Sequence, residues 1–300
     1  MVKRIFLFLA VNILVLITIS ITLRVFNVQP YLNGHGIKFG ALLVFCGIVG
    51  FAGAFISLAL SRIMAKMMLG VVVIDPARTG SPVEADLVAT VGRLAQAAGL
   101  PMPEVGIYES PELNAFATGP TKSRALVAVS SGLLRGMGRQ EIEGVLGHEM
   151  THIANGDMVT MTLLQGVVNT FVMFLARVAA FTLSSFLRGE RQRGGGISYM
   201  LNWVFVIAFE IAFSLLGAIV VMWFSRMREY RADAGGAHLA GREKMIGALE
   251  ALKRAVPIVD NRAPSLANFK INGGRRGLLA LWASHPDLDD RITRLREMRA

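Results

Sequence analysis

Three hundred residues, 53% of them apolar and with a mean hydropathy of +0.52, are too hydrophobic for an ordinary soluble enzyme. The formal net charge of +10 could suggest a nucleic-acid partner, but its distribution argues against one. Residues 62–157 hold eight Lys and Arg against ten Asp and Glu, whereas residues 226–300 hold fifteen against nine, without any RNA- or DNA-binding motif; a basic C-terminal part resting on an anionic membrane surface accounts for the excess.

The first apolar segment runs from about Ile5 to Leu23 and the second from about Phe39 to Leu60. Each is long enough to cross a hydrocarbon core of about 30 Å as a helix. Lys3-Arg4 precede the first segment as they would in a secretory signal, but no small-residue cleavage site follows and Arg24-Val25-Phe26 come next, so it reads as a retained anchor. Arg62 and Lys66 flank the second segment, while residues 27–36 carry no Asp, Glu, Lys or Arg. The preference of basic flanks for the cytoplasm then places the N-terminus, and everything from Arg62 onward, on that side. Cys46 is the only cysteine, so no intrachain disulfide can form, which fits a reducing compartment.

The polar stretch that follows predicts a small α+β body. Ser81-Pro82-Val83-Glu84 reads as a helix start with a capping box closed by Glu84, and Val83, Leu87, Val91, Leu94 and Ala98 continue at helical spacing until Gly99 and Pro101. Residues 104–108 and 124–129 are short β-rich runs, with Leu113-Asn114-Ala115-Phe116-Ala117-Thr118-Gly119 between them. A helix starting near Arg139, with Ile142, Val145, Leu146 and Ile153 facing the core, carries His148-Glu149-Met150-Thr151-His152. Residues four apart share a helix face, so two imidazoles can reach one metal ion while Glu149 stands beside its open position. Two neutral ligands, a carboxylate base and a water are what a zinc hydrolase needs.

Two further apolar segments follow, about Met158 to Leu187 and Tyr199 to Phe224, containing Gln165, Asn169, Arg177 and Glu210, all costly in lipid. Their basic connector, Arg188-Gly189-Glu190-Arg191-Gln192-Arg193, argues against exposure outside the cell, so both a spanning hairpin and a re-entrant one stand. Arg177 and Glu210 lie equally far from the connector's midpoint, so an antiparallel hairpin puts them at one depth, and pairing is the less costly arrangement there. Beyond this hairpin, Glu229 and Asp233 are again four apart on a predicted helix: one can ligate the metal while the other accepts the spare N–H of a ligating histidine. Residues 241–256 predict an amphipathic helix with Met245, Ile246, Leu249 and Leu252 inward, and residues 257–274, rich in Pro, Asn and Gly, a loop over the cleft. The tail reads as a helix with Asp287, Asp289 and Asp290 in its first turn, Arg294, Arg296 and Arg299 near its end, and Leu288, Ile292, Leu295 and Met298 on one face. His35 and His238 have no neighbours at ligand spacing.

His148-Glu149-x-x-His152 together with Glu229-x-x-x-Asp233, framed by four apolar segments, resembles the HtpX family of membrane zinc endopeptidases, and more distantly the CAAX prenyl endopeptidases. The resemblance covers nearly the whole chain. It implies an α+β, mostly helical membrane protein with four transmembrane helices and a cytoplasmic zincin-like domain of gluzincin type. The expected organisation is a transmembrane hairpin over 1–60, catalytic segments over 61–157 and 225–300, and a second hydrophobic hairpin over 158–224. One Zn2+ per chain is expected on His148, His152 and Glu229, with Glu149 as general base and Asp233 orienting His148. Asn114, Ala115 and Phe116 resemble the family's substrate-pairing edge strand, which would recognise extended peptide through its main chain. Ser284-His285-Pro286 resembles a His-Pro element of the family; His285 as an oxyanion donor and His285 as a plain histidine at the start of the last helix both stand, with Tyr230 a lesser candidate.

The expected function is proteolytic quality control, under stress, of misfolded membrane proteins at the inner membrane of a bacterium, with protein substrates and the bilayer as partners. Few residues separate His152 from the third segment, which keeps a metal within about 12 Å of that segment's start if the helix continues and favours membrane-protein substrates. A prenyl-protein endopeptidase is the first alternative, though four spans are few for an enclosed chamber. A non-catalytic scaffold is the second; its structural zinc would call for four closed ligands and no Glu149.

Overall fold

The computed structural model describes residues 38–188, 195–254 and 285–298, and forms two compact units, residues 1–55 with 162–218 and residues 56–161 with 219–300. The first apolar segment, His35, most of the basic connector and the 257–274 loop lie outside the described residues. Among the described residues three helices are long and apolar enough to cross a membrane. They are α1 (Phe39–Leu69), α5 (Asp157–Arg188) and α6 (Gly195–Ala240).

In the first unit, small residues bring the helices together. A Cβ on Gly50 of α1 would fall 2.6 Å from Thr170 Oγ1 on α5, and one on Gly217 of α6 would fall 2.6 Å from Val168 of α5. The costly polar groups find partners. Arg177 Nη1 donates to Glu210 Oε1 at 2.7 Å and to the Met173 carbonyl at 3.0 Å, and its guanidinium lies 6.0 Å from the Phe45 ring centre. Gln165 donates to Asn169 at 2.8 Å, and Ser184 to Asn202 at 3.2 Å. The pairing expected of Arg177 and Glu210 is present.

The second unit holds a four-stranded mixed sheet in the order β1-β2-β4-β3, from β1 (Val72–Val73), β2 (Glu104–Tyr108), β3 (Ala115–Thr118) and β4 (Leu126–Ser130). The β2–β4 pair is parallel, while β1–β2 and β3–β4 are antiparallel. All five residues of β4 are buried, as expected of a central strand with no polar face. Its start is two residues later than the sequence predicts, because Lys122–Arg124 close a 3₁₀ turn. The two-residue β1 and the short α3 (Ser131–Gly136) are below the length at which periodicity is readable.

Against the sheet pack α2 (Pro82–Ala97) and α4 (Arg139–Asn155), with α7 (Arg242–Arg254) packed on α4 and α8 (Leu288–Glu297) on α7, around a core that includes Leu87, Val91, Leu94, Val145, Leu146, Ile153, Leu249, Leu252, Ile292 and Leu295. Ser81 caps α2 by accepting from the Glu84 N–H at 3.2 Å; the Glu84 carboxylate, however, accepts from Gly80 N–H at 2.6 Å rather than from Ser81. The expected fourth apolar segment and the helix carrying Glu229 prove to be one helix, α6. Nothing between Phe224 and Glu229 breaks it, and it ends where Gly241 takes φ +106°.

Candidate metal centre

The sequence fixes both ends of α4. The Glu141 carboxylate accepts from Gly138 N–H at 2.8 Å at the start. At the end Gly156, at φ +66°, returns its N–H to the His152 and Ile153 carbonyls, and the Lys122 ammonium donates to the Ala154 carbonyl. The left-handed Gly156 turns the chain so that α5 begins at the next residue, Asp157.

Glycines let α4 and α6 approach closely. A Cβ on Gly147 would meet Ala240 Cβ at 2.9 Å, and one on Gly236 would meet the His148 backbone N at 2.9 Å. A Cβ on Gly144 would lie 2.4 Å from the Lys244 carbonyl of α7. This close approach brings side chains of α4 and α6 to one point.

His148, His152 and Glu229 each turn one donor atom to a common point, the three atoms lying within 4.8 Å of one another. The two Nε2 atoms are 3.2 Å apart. Glu229 places Oε2 3.5 Å from His148 Nε2 and Oε1 3.3 Å from His152 Nε2. The other ring nitrogens are tied to carboxylates: His152 Nδ1 lies 2.6 Å from Asp157 Oδ2, and His148 Nδ1 lies 2.9 Å from Asp233 Oδ1. Each Nδ1–H donates to its carboxylate, so each Nε2 presents its lone pair to the common point. Two lone pairs 3.2 Å apart require positive charge between them, which a proton or a cation supplies.

The electrostatics agree. Burial alone would lower both imidazole pKa values. Hydrogen bonds to Asp157 and Glu229 overcome it at His152 and push that pKa up to about 10; contacts with Asp233 and Glu229 raise that of His148. Glu149 is buried, and its burial pushes its carboxyl pKa up against the opposing charges of His148 and His152.

Of the other residues singled out in the sequence, His285 is at the site, its Nδ1 2.6 Å from Glu229 Oε2 and its buried Nε2 without a hydrogen-bond partner among the described residues. Tyr230 is turned elsewhere: its ring lies under the Arg294 guanidinium, 3.9 Å from ring centre to carbon. Asn114 immediately precedes β3, but its main-chain N–H goes to Ser130 Oγ at 3.2 Å, its carbonyl accepts from Ser130 N–H at 2.9 Å, and its amide donates to Tyr108 at 2.9 Å. It therefore has no main-chain donor to offer a peptide. Ala115 and Phe116 lie in β3, the terminal strand of the sheet, and all four β3 residues are buried. His238 is exposed. Two residues at the site went unread in the sequence: Asp157, and Arg291 of α8. Signals for both existed, an acid following the helix-ending Gly156 and an arginine in phase with Leu288 and Leu295.

A His-Glu-x-x-His helix crossed by a second helix carrying an acidic third donor defines the metallopeptidase class. Comparison with known proteins agrees. The model of peptidase family M48 matches residues 82–299. "Protease HtpX homolog" of Methylacidiphilum infernorum is 52% identical over 300 residues, covering 98% of each chain. The protein of the same name from Bacillus licheniformis is 53% identical, also over 98% of each, and "Protease HtpX" of Thioalkalivibrio sulfidiphilus 51% identical over 99% of each. The fold is also similar to that of S. mikatae Ste24p, with a TM-score of 0.58 at 17% identity, over 97% of this chain and 66% of that longer one. The chain belongs to peptidase family M48 and, within it, to the HtpX proteases.

Proposed function

We propose that this membrane protease is a zinc endopeptidase that cleaves misfolded or damaged membrane proteins at the cytoplasmic face of a bacterial inner membrane. The observation that carries the reading is the convergence of His148, His152 and Glu229 on one point beside the buried Glu149. Two imidazole nitrogens and one carboxylate oxygen suit zinc with an open position, and four closed protein ligands, as a structural site would have, are not assembled among the described residues. Bound there, zinc supplies a Lewis acid that polarises the scissile carbonyl and acidifies the attacking water.

The remaining steps belong to the chain. Glu149 takes the proton of the attacking water and passes it to the leaving amine; its raised pKa brings its basicity closer to working pH. Asp233 and Asp157 hold His148 and His152 in the tautomers that direct Nε2 inward. His285, whose Nδ1 lies 2.6 Å from Glu229 Oε2, supports the oxyanion from beside the third donor.

Substrate pairs as an added strand along β3. The Asn114–Ser130 hydrogen bond fixes the antiparallel alternation, so Phe116 and Thr118 face β4 while the main-chain groups of Ala115 and Ala117 point to the free edge. Those residues are buried, so pairing requires the edge to open. Basic residues bordering the second apolar segment, and the bacterial sources of the relatives, support the cytoplasmic face of the inner membrane. The test is metal analysis of the detergent-purified protein with cleavage of an unfolded reporter protein before and after chelation. About one zinc per chain, with cleavage abolished by chelator and restored by zinc, is expected; cleavage indifferent to chelation contradicts the proposal.

A further inference from the structure

Arg291 is only 1% exposed and is the largest fully buried side chain of the described residues. A buried arginine is costly unless its charge is used. Here Nε donates to Asp233 Oδ2 at 2.8 Å and Nη2 to Asp233 Oδ1 at 2.6 Å, a two-pronged planar fork. The same Oδ1 accepts from His148 Nδ1 at 2.9 Å. Nη2 also lies 3.5 Å from His148 Nδ1, but both atoms carry hydrogens and share the carboxylate oxygen, so that approach is not a bond. Among the described residues Nη1 makes no hydrogen bond, and it lies 3.7 Å from Glu229 Oε2.

We propose that Arg291, carried by the last helix, is a positioning residue of the metal centre: its fork holds Asp233 in the plane that keeps the His148 Nε2 lone pair aimed at the metal. The inference rests on the zinc reading above. Two observations support it. The fork occupies both oxygens of Asp233, so the carboxylate cannot rotate away from His148 without breaking two short charged bonds. In addition, α8 does not need Arg291 for attachment. Ile292 and Leu295 are buried in the core, Arg242 donates to the Met298 carbonyl at 2.8 Å, Arg296 pairs with Glu250 at 2.7 Å, and Lys253 pairs with Asp289.

The experiment compares full-length wild type, Arg291→Met and Arg291→Lys in detergent. It measures zinc affinity by chelator competition, the visible spectrum of the cobalt-substituted protein, thermal melting of the metal-free form, and protease access to α8. Arg291→Met should lower zinc affinity roughly 10- to 100-fold and alter the cobalt bands, with α8 still protected. Arg291→Lys keeps the charge but not the fork, and should still lose about 10-fold with a changed spectrum. If Arg291→Met does not fold, Arg291→Lys decides alone. Wild-type zinc affinity and spectrum in the lysine variant overturn the proposal, as does metal loss that appears only together with release of α8. A wild-type chain that binds no zinc overturns the zinc reading itself, a result distinct from either.

Discussion

Substitution of Arg177 and Glu210 gives a quantitative test of the membrane unit. The two side chains are 27% and 34% exposed and joined at 2.7 Å, so values for a fully buried pair do not apply. A lone charge near the middle of a membrane helix costs about 2.5–3.5 kcal/mol on insertion scales, while an average interhelical hydrogen bond in a membrane contributes only about 0.6 kcal/mol. Most of the effect of a single change should therefore come from the charge left behind. Arg177→Leu and Glu210→Leu should each destabilise by about 2–3 kcal/mol. The double change strands no charge and should fall within about 1 kcal/mol of wild type, a coupling of at least about 3 kcal/mol. Unfolding in mixed micelles titrated with a denaturing detergent measures all four corners of the cycle. Additive single losses would refute the pairing argument.

Glu229→Ala removes one of the three converging donors and should weaken zinc binding by more than roughly 100-fold, beyond the usual effect of a residue that only orients a ligand; unchanged zinc content after dialysis would show the third donor misassigned. Ala117→Pro removes a main-chain N–H that points away from β4, so the sheet and zinc binding should survive while kcat/KM on extended substrates falls about 2- to 10-fold, the worth of one hydrogen bond. Wild-type cleavage by that variant would move the substrate elsewhere. Because burial raises the Glu149 pKa, the base takes up its proton at higher pH than an ordinary glutamate. In the metal-free protein the Glu149 carboxyl, followed by difference infrared titration against Glu149→Gln, should thus have its midpoint above about 4.3, and a midpoint below that pH would contradict the assigned environment.

The parts of this site that repeat at helical spacing were legible in the sequence. His148 with His152 and Glu229 with Asp233 are each one turn apart, and a single metal requirement links the two helices. The apolar faces of α4, α7 and α8 were readable in the same way, as were Arg177 and Glu210 from their symmetry about the connector. What escaped were contacts that depend on how helices end and cross. Asp157 reaches His152 only because Gly156 turns through φ +66°, and Arg291 stands inside the centre only because α8 packs with its apolar stripe inward. The part expected of Asn114 came from the family resemblance rather than from spacing, and nothing in the sequence signalled that the hydroxyl of Ser130 accepts from its N–H.

The central claim is that Glu149 performs proton transfer beside a metal it does not ligate. Zinc content and cleavage of an unfolded protein in detergent, for wild type beside Glu149→Gln, test it directly. The amide keeps the shape of the side chain but cannot take the proton of water, so the variant should hold as much zinc as wild type and lose hydrolysis. Equal cleavage by the two proteins, or loss of zinc from the variant, would contradict the account.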